Sequence, residues 1–559
     1  MLDRLMGAET EYAIRFEAPV TTPHPGNEEL FERIASAAGD LVHTRLAEAQ
    51  VSTRFFTENG GTFMFEHVLP DQEGGLFEAG TPECRGPAQV LLYQRAQDQL
   101  LANAVRLAEE RLRNEGVEAR LGLLKNCRDA QGNVYGAQES YEVFVARGPR
   151  LWLWRLALLS AAPLALGAAA ITLTMLVTTL LLVVVVLFVA TIVAALAGRD
   201  EPDVDEIPSR VASVMQDFVI LLFQPSFVIT SSAASLLAYR PYQRRAMGFF
   251  VSRCIVSGAG TRKPDGRWAL SEKMADLRRV MRLTIGRHDR GLFETGHLVK
   301  PLQWLALLRW RSFADAFAKR QRLQIGMSDA NRCDVAEYLK LGTTALVLDM
   351  VEAGVLRDAP RPRDPVAAAR AISDDATLQV RVPLRGGGEA SALELQRTYL
   401  ERAQTWIEEV AAPVEAHQLV KLWSQTLDAL ESDPSRLFGQ LDWITKQTLV
   451  ERAGPLDHGA QKKIDLRYHE LGEAGYFTWL DGAELVTRLV EPEDIREAIR
   501  TPPVDSPARQ RGRIVKALSQ SGQSARIGWK RVHLGRGLQG RIIRLDEHRR
   551  NPRNPNSHK

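Results

Sequence analysis

An apolar run from residue 151 to residue 196 constrains this chain more than any other feature, because Arg155 is its only charged residue. A transmembrane helix needs roughly 20 consecutive apolar residues, so the run is long enough for one long span or a hairpin of two. Core helices of soluble domains are usually shorter and amphipathic, which makes a buried core helix the weaker interpretation. The run therefore predicts a membrane-associated insertion over residues 151–235, with a transmembrane hairpin at about 151–197.

Arginines mark the start of the run at positions 147, 150 and 155, which favours the cytoplasmic side for that end. Pro163 and Gly167 offer places to turn, although neither is a strong turn signal. The acidic stretch RDEPDVDEIPSR that follows is expected to be a solvated linker. The next apolar segment, DFVILLFQPSFVITSS, fits a membrane-associated helix or a core helix, and its pattern does not separate the two.

The rest of the chain has the composition of a folded globular protein, with 45% hydrophobic and 25% charged residues. A length of 559 residues exceeds one ordinary core, so two domains or one large domain with an appendage are expected. The net charge of +3 is too small to indicate nucleic acid as a partner. Four cysteines lie far apart without CxxC spacing, which excludes a recognisable zinc site or disulfide framework and fits a reducing cytoplasm. The N-terminus lacks an apolar signal-peptide core.

Five carboxylates stand on short strand-like segments near the N-terminus, and they are Glu9, Glu11, Glu66, Glu78 and Glu83. Glu9 and Glu11 are two residues apart, so on a strand they point to the same face. Acids on a strand face are usually just solvated. The functional alternative is an acidic cradle for Mg²⁺, a hard cation that takes oxygen ligands and shares phosphate oxygens. The strand pattern alone leaves both interpretations open.

Several sequence pieces occur in a fixed order along the chain, among them GAETEY, ENGGTFMFEHV, LFEAGTPEC, KNCRDAQGNVYGAQESY, VSRCIVSGAG, LSEKMADLRR, RLQIGMSDANRCDVAEYLKLG and SALELQRTYLERA. In this order they resemble the Pup ligase family, proteasome accessory factor A, and its sister depupylase/deamidase. The resemblance covers nearly everything except about residues 150–235. No single piece is decisive, and eight or more in the family's order are hard to obtain by chance.

The resemblance implies an α+β fold, with a glutamine-synthetase-like curved antiparallel sheet that has helices on one face. The catalytic domain would comprise residues 1–150 and 236–430, interrupted by the membrane insertion. A small C-terminal domain would follow at 431–545, and residues 546–559 would be a disordered basic tail.

The resemblance also implies a site that binds ATP and Mg²⁺. Glu66 stands where the family has the aspartate that acts as catalytic base. The implied metal ligands are Glu9, Glu11, Glu78, Glu83, Gln138 and Glu139. The implied nucleotide-binding residues are Ser257, Gly258, Gly260, His297, Arg322, Gln324 and Asp329. These residue types suit phosphoryl transfer, because metal ions must neutralise the developing charge and hold the reactants in line.

The chain departs from the family pattern at several of these positions. Glu66 adds one methylene to the expected aspartate, and Gln138 and Gln324 each replace a histidine. A glutamine carbonyl is an oxygen ligand that still suits a hard cation. Other interpretations remain open: His297 could be simply exposed, Arg322 could pair with a surface acid, and the SGAG turn could be a bare turn.

The resemblance implies an ATP-dependent ligase that joins the C-terminal glutamate carboxylate of a Pup-like modifier to lysines of target proteins, linked indirectly to the proteasome. Only a short segment separates EAPV from FFTENGG, which favours the ligase over the depupylase with its longer loop. A deamidase of the same fold and a catalytically degenerate, membrane-anchored modifier-binding protein remain alternatives. Because candidate site residues lie on both sides of the apolar run, one site requires an even number of membrane crossings. The expected location is the membrane, in contact with lipid, with the catalytic domain on the cytoplasmic side.

Overall fold

The structure is a computed structural model that describes residues 1–47, 54–67, 74–196, 207–263, 265–283, 290–298, 310–521, 523, 525–535 and 541–545. The basic tail predicted at 546–559 lies outside these residues. An α+β architecture is confirmed, with one large sheet and helices packed on it.

Eighteen strands are present in the described residues: β1 Leu5–Glu17, β2 Thr44–Leu46, β3 Arg54–Thr57, β4 Thr62–His67, β5 Gly75–Gly80, β6 Cys84–Arg85, β7 Arg120–Leu124, β8 Gln138–Phe144, β9 Thr261–Arg262, β10 Trp268–Ala269, β11 Arg279–Met281, β12 Gly291–Glu294, β13 Arg320–Ile325, β14 Arg381–Pro383, β15 Glu389–Ser391, β16 Ala525–Ile527, β17 Arg531–Leu534 and β18 Arg541–Arg544.

The α-helices in the same residues are α1 Asn27–Leu41, α2 Pro87–Asn114, α3 Pro149–Leu196, α4 Ile207–Ala233, α5 Arg240–Arg245, α6 Met247–Ser252, α7 Cys254–Ser257, α8 Trp310–Asp315, α9 Asp334–Ala353, α10 Pro365–Ser373, α11 Ala392–Glu409, α12 Val414–Ser432, α13 Asp442–Arg452, α14 His458–Tyr468, α15 Tyr476–Gly482, α16 Pro492–Ala498 and α17 Pro507–Ser521. A π-helical turn spans Ala234–Ala238, and 3₁₀ turns span Met274–Asp276 and Pro434–Leu437.

The main sheet has eleven strands in the order β11-β12-β13-β8-β1-β5-β4-β3-β2, and β6 and β7 also pair with β1. The pairs are antiparallel except for β11 with β12, which makes the sheet mixed rather than purely antiparallel. The long strand β1 lies at its centre, so β1 side chains of one face have neighbours on both sides.

Alternation along the strands separates a buried face from an open one. On the buried face, Tyr12, Phe63 and Phe77 are covered by the apolar sides of α1 and α2. The Phe31 ring of α1 lies 4.9 Å from the Phe77 ring, within the range of aromatic pairs. The other face carries the polar residues of the same strands, so this packing determines which side chains are available for a site.

The hairpin predicted within residues 151–197 is wrong, because α3 continues unbroken from Pro149 to Leu196 with Pro163 inside it. The partner of α3 is α4, whose Phe223 packs on the buried alanines Ala161 and Ala165 of α3. The apolar run has no cluster of polar turn residues, so the helix does not reverse within it. Residues 197–206, which include most of the predicted solvated linker, lie outside the described residues.

Two helical stretches are long and apolar enough to cross a membrane by length and composition, Pro149–Thr179 and Phe218–Ala238. Both expose large apolar side chains, such as Leu156 at 62% on the first and Leu221 at 64% on the second. Neither stretch is therefore a fully covered core helix. The apolar segment after the linker, whose role the pattern left open, is the second of these helices.

The helices after residue 430 share the main core, because Leu437, Trp443 and Tyr468 belong to the same buried cluster as Leu346 of α9. The last part of the chain has a small cluster of its own, in which α17 and β16–β18 pack against β3. The buried members of that cluster are Phe56, Val515, Leu518, Ile527, Val532 and Leu545.

Candidate active site

Four of the predicted acids lie on the open face of the main sheet. Glu11 of β1 lies opposite Glu78 of β5, and Glu9 is two residues earlier on the same face of β1. On β4, Met64 lies opposite Glu78, so Glu66 also points to this face two residues further on. Strand pairing thus brings carboxylates from three neighbouring strands together. The prediction that Glu9 and Glu11 share one face of a strand is confirmed.

The carboxylates repel one another, and their pKa values show it. Burial and the charge of Glu66 raise the pKa of Glu11 to about 8, although Lys273 and a 2.7 Å hydrogen bond from the Gly136 N–H oppose the shift. Burial and the charges of Glu9, Glu66 and Glu11 raise the pKa of Glu78 well above its usual value. A site of this kind favours a cation that neutralises several carboxylates at once.

The predicted residues of β8 and β13 extend the site from Glu9. Arg322 donates to the Glu9 carboxylate at 2.8 Å and to the Ser140 hydroxyl at 2.8 Å. The Gln324 amide donates to the Gln138 carbonyl oxygen and reaches the second Glu9 oxygen at 3.5 Å. Arg322 is therefore paired with an acid of the site itself, and the two glutamines stand side by side where the family pattern has histidines.

Basic residues border the acids, and the sequence motifs do not predict a role for them. Lys273 is buried, and its ammonium donates to the Ala137 carbonyl at 2.9 Å while it lowers the pKa of Glu11. Arg290 interacts electrostatically with Glu11, and Arg54 acts in the same way on Glu78. No local sequence pattern indicates these three residues. The chemistry of the predicted site does call for them, because a site for phosphates needs cations as well as metal-binding acids.

Glu139 is not part of this cluster, although it follows Gln138. Alternation along β8 turns it to the buried face, where Arg253 pairs with it at 2.8 Å and the Ser328 hydroxyl donates at 2.5 Å. Burial alone would raise the pKa of Glu139, and the charges of Arg253 and Lys340 lower it overall. The structure therefore gives Glu139 the contacts of a buried ion pair rather than those of a metal ligand.

Glu83 also lies apart from the four acids. Both of its oxygens accept hydrogen bonds from Arg511 of α17. The same guanidinium donates to the Gly60 carbonyl at 2.7 Å and stacks 4.6 Å from the Trp529 ring. This arrangement connects the end of the chain to the sheet, and the sequence contained no signal for it because the partners are far apart in the chain.

The SGAG turn and Asp329 form a packed interior rather than an open loop. A Cβ at Gly258 would lie 2.0 Å from the Leu270 carbonyl oxygen, and Gly260 has a φ of +70° against the Trp443 backbone. Asp329 accepts hydrogen bonds from the N–H groups of Ala259 and Glu272, at 2.9 and 3.0 Å. The Ser257 hydroxyl donates to the Arg253 carbonyl.

These contacts make the turn a buried support. His297 lies partly buried, three residues after the end of β12. Through Glu294, which is opposite Gln324 on β13, β12 continues the same sheet.

A second group of metal-ligand types lies in the core, formed by Glu272, Asp465 and His469. Lys446 occupies its centre, with its ammonium 3.1 Å from a Glu272 oxygen and 3.0 Å from the His469 Nε2. Burial and the surrounding cations lower the pKa of His469 well below its usual value. The group is a buried ionic network in which a lysine already provides the positive charge.

The donor set on the open face fits Mg²⁺. Glu11, Glu66 and Glu78 supply carboxylate oxygens, and Gln138 supplies an amide oxygen, all of which suit a hard cation. The raised pKa values of Glu11 and Glu78 show that the cluster lacks enough positive charge of its own.

The architecture that carries this site is that of the Pup ligase PafA. A crystal structure of PafA in complex with the prokaryotic ubiquitin-like protein Pup superimposes with a TM-score of 0.67 at 22% identity, covering 97% of this chain and 89% of that one. A structure of PafA in complex with ADP gives a TM-score of 0.62 at 21% identity, covering 94% and 92%. These two likenesses establish the class of fold.

The Pup-ligase protein family model matches residues 4–533, and the chain belongs to that family. Relatives match over nearly their full lengths: the Pup–protein ligase of Acidimicrobium ferrooxidans is 26% identical, over 97% of this chain and 95% of its own. The Pup–protein ligase of Mycolicibacterium smegmatis is 25% identical, over 98% and 97%. The family prediction made from the order of motifs is confirmed.

Proposed function

We propose that this chain is an ATP- and Mg²⁺-dependent ligase that joins the side-chain carboxylate of the C-terminal glutamate of a Pup-like modifier to lysines of target proteins. The observation that carries the proposal is the cluster of Glu9, Glu11, Glu66 and Glu78 on one open sheet face. Membership of the Pup-ligase family over almost the whole chain supports the same activity. The proteasome would be an indirect partner, through the modified targets.

The chemistry begins with a carboxylate, which is a poor acylating agent. A modifier carboxylate oxygen attacks the γ-phosphorus of ATP, and the bond to the β-phosphate oxygen breaks to give an acyl phosphate and ADP. Glu11, Glu78 and Gln138 would hold Mg²⁺, which neutralises phosphate charge and aligns the reactants when bound. Lys273 and Arg290, whose charges act on Glu11, would orient phosphate oxygens.

In the second step a target lysine amine attacks the acyl carbon, and the carbon–oxygen bond breaks to release inorganic phosphate. The amine must lose a proton, and a carboxylate beside the reacting carbon can accept it. We assign this role to Glu66, whose charge acts on Glu11 in the same cluster of acids. The extra methylene compared with aspartate moves the base by about a bond length, and misplacement of ~1 Å affects rates strongly.

The membrane is part of the proposal. Apolar side chains exposed along α3 and α4 support a transmembrane pair, and two crossings return the chain to the side from which it left. Such a pair keeps β1–β8 and β11–β13 in one compartment, as one sheet requires. Arginines at 147 and 150 favour the cytoplasm for the catalytic domain.

The test uses the full chain in mild detergent, with a glutamate-ending Pup-like modifier, a lysine-bearing acceptor and Mg-ATP. A covalent adduct, with one ADP and one phosphate released per bond, is expected. Glu78→Gln on β5 should abolish it, whereas Glu17→Gln, at the solvent-exposed end of the neighbouring strand β1, should not. Glu66→Gln should retain nucleotide binding and lose conjugation.

Two other experimental outcomes would favour a different function. Conversion of a glutamine-ending modifier to the glutamate form, with no adduct under any condition, would favour the deamidase of the same fold. Modifier binding with neither reaction would favour the degenerate binding protein, and the pairing of Arg322 with Glu9 is the observation that supports this second candidate.

A further inference from the structure

Two clusters of basic residues border the place where the proposed membrane pair joins the sheet. The first surrounds the ring of Phe144, the last residue of β8. The Arg147 and Arg320 guanidinium carbons each lie 4.5 Å from the centre of that ring, and the Lys319 ammonium lies 5.5 Å from it. Glu142 neutralises only Arg320, at 2.8 Å.

The second cluster contains Arg240, Arg244, Arg361 and Arg385, and we call it the arginine cluster. Burial and the charges of Arg385, Arg244 and Arg240 lower the pKa of Arg361, so these three guanidinium groups lie near that of Arg361. The N–H of Arg385 donates to the Arg361 carbonyl at 2.7 Å and thereby holds the two loops together. Within the part of the chain that the structure describes, none of the four forms an ion pair.

Both clusters lie at the membrane ends of the candidate spans. The first span begins at Pro149, two residues after Arg147, and the second ends at Ala238, two residues before Arg240. The Tyr242 hydroxyl of α5 donates to the Phe144 carbonyl at 3.0 Å, so the helix that carries Arg240 and Arg244 is attached to the strand end that carries the first cluster.

Unpaired cations that stand close together favour an anionic partner. Mutual repulsion among arginines is unfavourable unless it is screened or neutralised, and folded proteins otherwise pair such residues with acids. Phospholipid headgroups are the anions that stand next to the end of a transmembrane helix, and basic residues close to the membrane are attracted to anionic lipids. Guanidinium groups are also suited to phosphate, because they donate in a bidentate manner.

We propose that the arginine cluster, with the basic residues around Phe144, is a binding surface for the phosphate headgroups of anionic phospholipids in the cytoplasmic leaflet. This inference rests on the membrane anchoring in the proposed function. The surface holds the catalytic domain against the bilayer in one orientation, independently of the acidic site on the open sheet face.

The test compares the lipids that accompany the full chain when it is extracted from bacterial membranes with a nanodisc-forming polymer. The ratio of phosphatidylglycerol to phosphatidylethanolamine around the wild type should exceed that of the bulk membrane by about twofold or more, since each basic residue near the surface attracts anionic lipid. The variant R240Q/R244Q/R361Q/R385Q should return to the bulk ratio. The control R106Q/R113Q/R267Q/R496Q removes four exposed arginines elsewhere and should remain enriched.

A second measurement separates headgroup binding from general phosphate binding. The full chain in neutral detergent is titrated with short-chain phosphatidylglycerol, short-chain phosphatidylcholine or inorganic phosphate, at low and high salt. Saturable binding of phosphatidylglycerol alone, weakened by salt and lost in the quadruple variant, is expected. Equal binding of inorganic phosphate, or a preference for a nucleic acid added as competitor, would overturn the lipid assignment.

A negative result for lipid binding can be distinguished from a negative result for the proposed function. If the chain is released from membranes without detergent, the anchoring and this inference are both overturned. If it stays in the membrane with no lipid enrichment, only this inference is overturned. Conjugation in detergent is measured separately, and it should be unchanged in the quadruple variant because none of the four arginines contacts the acidic site.

Discussion

Replacing Glu11 with glutamine should stabilise the protein in the absence of metal while removing Mg²⁺-dependent nucleotide binding. In the folded state burial and Glu66 raise the pKa of Glu11 to about 8. In the unfolded chain the group has its ordinary value near 4.3, so it ionises freely there. Folding at neutral pH therefore requires Glu11 to take up a proton, and a neutral glutamine has no such requirement.

The sign of the pH dependence follows from this difference. A raised folded-state pKa contributes stability that is complete below the unfolded pKa and is lost as pH rises toward about 8. At pH 7 the loss is at most about 3.6 kcal/mol, and at pH 5 it is about 1 kcal/mol, with 1.36 kcal/mol for each pKa unit. Since Glu11 is only 9% exposed, solvent screening reduces this figure little.

The assay is thermal unfolding of the full chain in detergent with EDTA, from pH 5 to pH 9. The wild-type midpoint should fall between pH 5 and pH 8, whereas that of Glu11→Gln should change little. A glutamine oxygen can still accept the Gly136 N–H, so that hydrogen bond is kept. Mg²⁺ should raise the wild-type midpoint at pH 8 and leave the variant unchanged. Glu17→Gln on the same strand is the control, with an expected change within about 0.5 kcal/mol.

Parallel pH profiles for the wild type and Glu11→Gln would refute the reasoning, because Glu11 would then ionise normally in the folded state. A variant that is less stable than the wild type at pH 8 without metal would refute it as well. Stabilisation without loss of Mg²⁺-dependent nucleotide binding would leave the electrostatic account intact and place the metal elsewhere.

Three further substitutions test the residues that the structure separates from the site. Glu139→Gln should destabilise the fold by about 3–5 kcal/mol, because Arg253 loses its buried partner, and thermal unfolding without nucleotide measures it. Arg511→Lys should lower stability by about 2–3 kcal/mol, since lysine cannot bind Glu83 and Gly60 together; limited proteolysis near residue 507 should show the released segment. Gly258→Ala should lower the unfolding midpoint without ligand, because the added Cβ meets the Leu270 backbone; an unchanged midpoint would contradict a packed turn.

The sequence predicted the strand-borne acids well because a period of two relates neighbours on one strand directly. It placed Glu9 and Glu11 on one face, and the family's motif order added Glu66 and Glu78. The same alternation separates Gln138 from Glu139, but a motif that carries both residues does not say which of them faces the core. The Arg511 contact and the position of Lys273 depend on distant parts of the chain, which local patterns do not relate.

The two apolar helices α3 and α4 show that sequence patterns do not determine where a helix ends. Hydropathy identified the apolar run, and the site residues on both sides of it predicted an even number of crossings, which the sequence placed within residues 151–197. Breaking a helix requires polar residues that can form the turn, and Pro163 alone does not provide them. In the structure the second apolar helix spans residues 218–238. Its moderate hydropathy resembles that of a core helix, so the sequence alone did not distinguish the two.

The crowding of acids at the site favours an active ligase over an inactive binding protein. The unfavourable crowding of Glu11, Glu66 and Glu78 is offset by packing on the opposite face of the same strands, where the Phe77 ring contacts those of Phe31 and Phe63. Packing on one face therefore stabilises charge crowding on the other, and bound Mg²⁺ and nucleotide would relieve it. A site that only held a modifier would need neither the crowding nor the buried cation at Lys273, whereas phosphoryl transfer needs both.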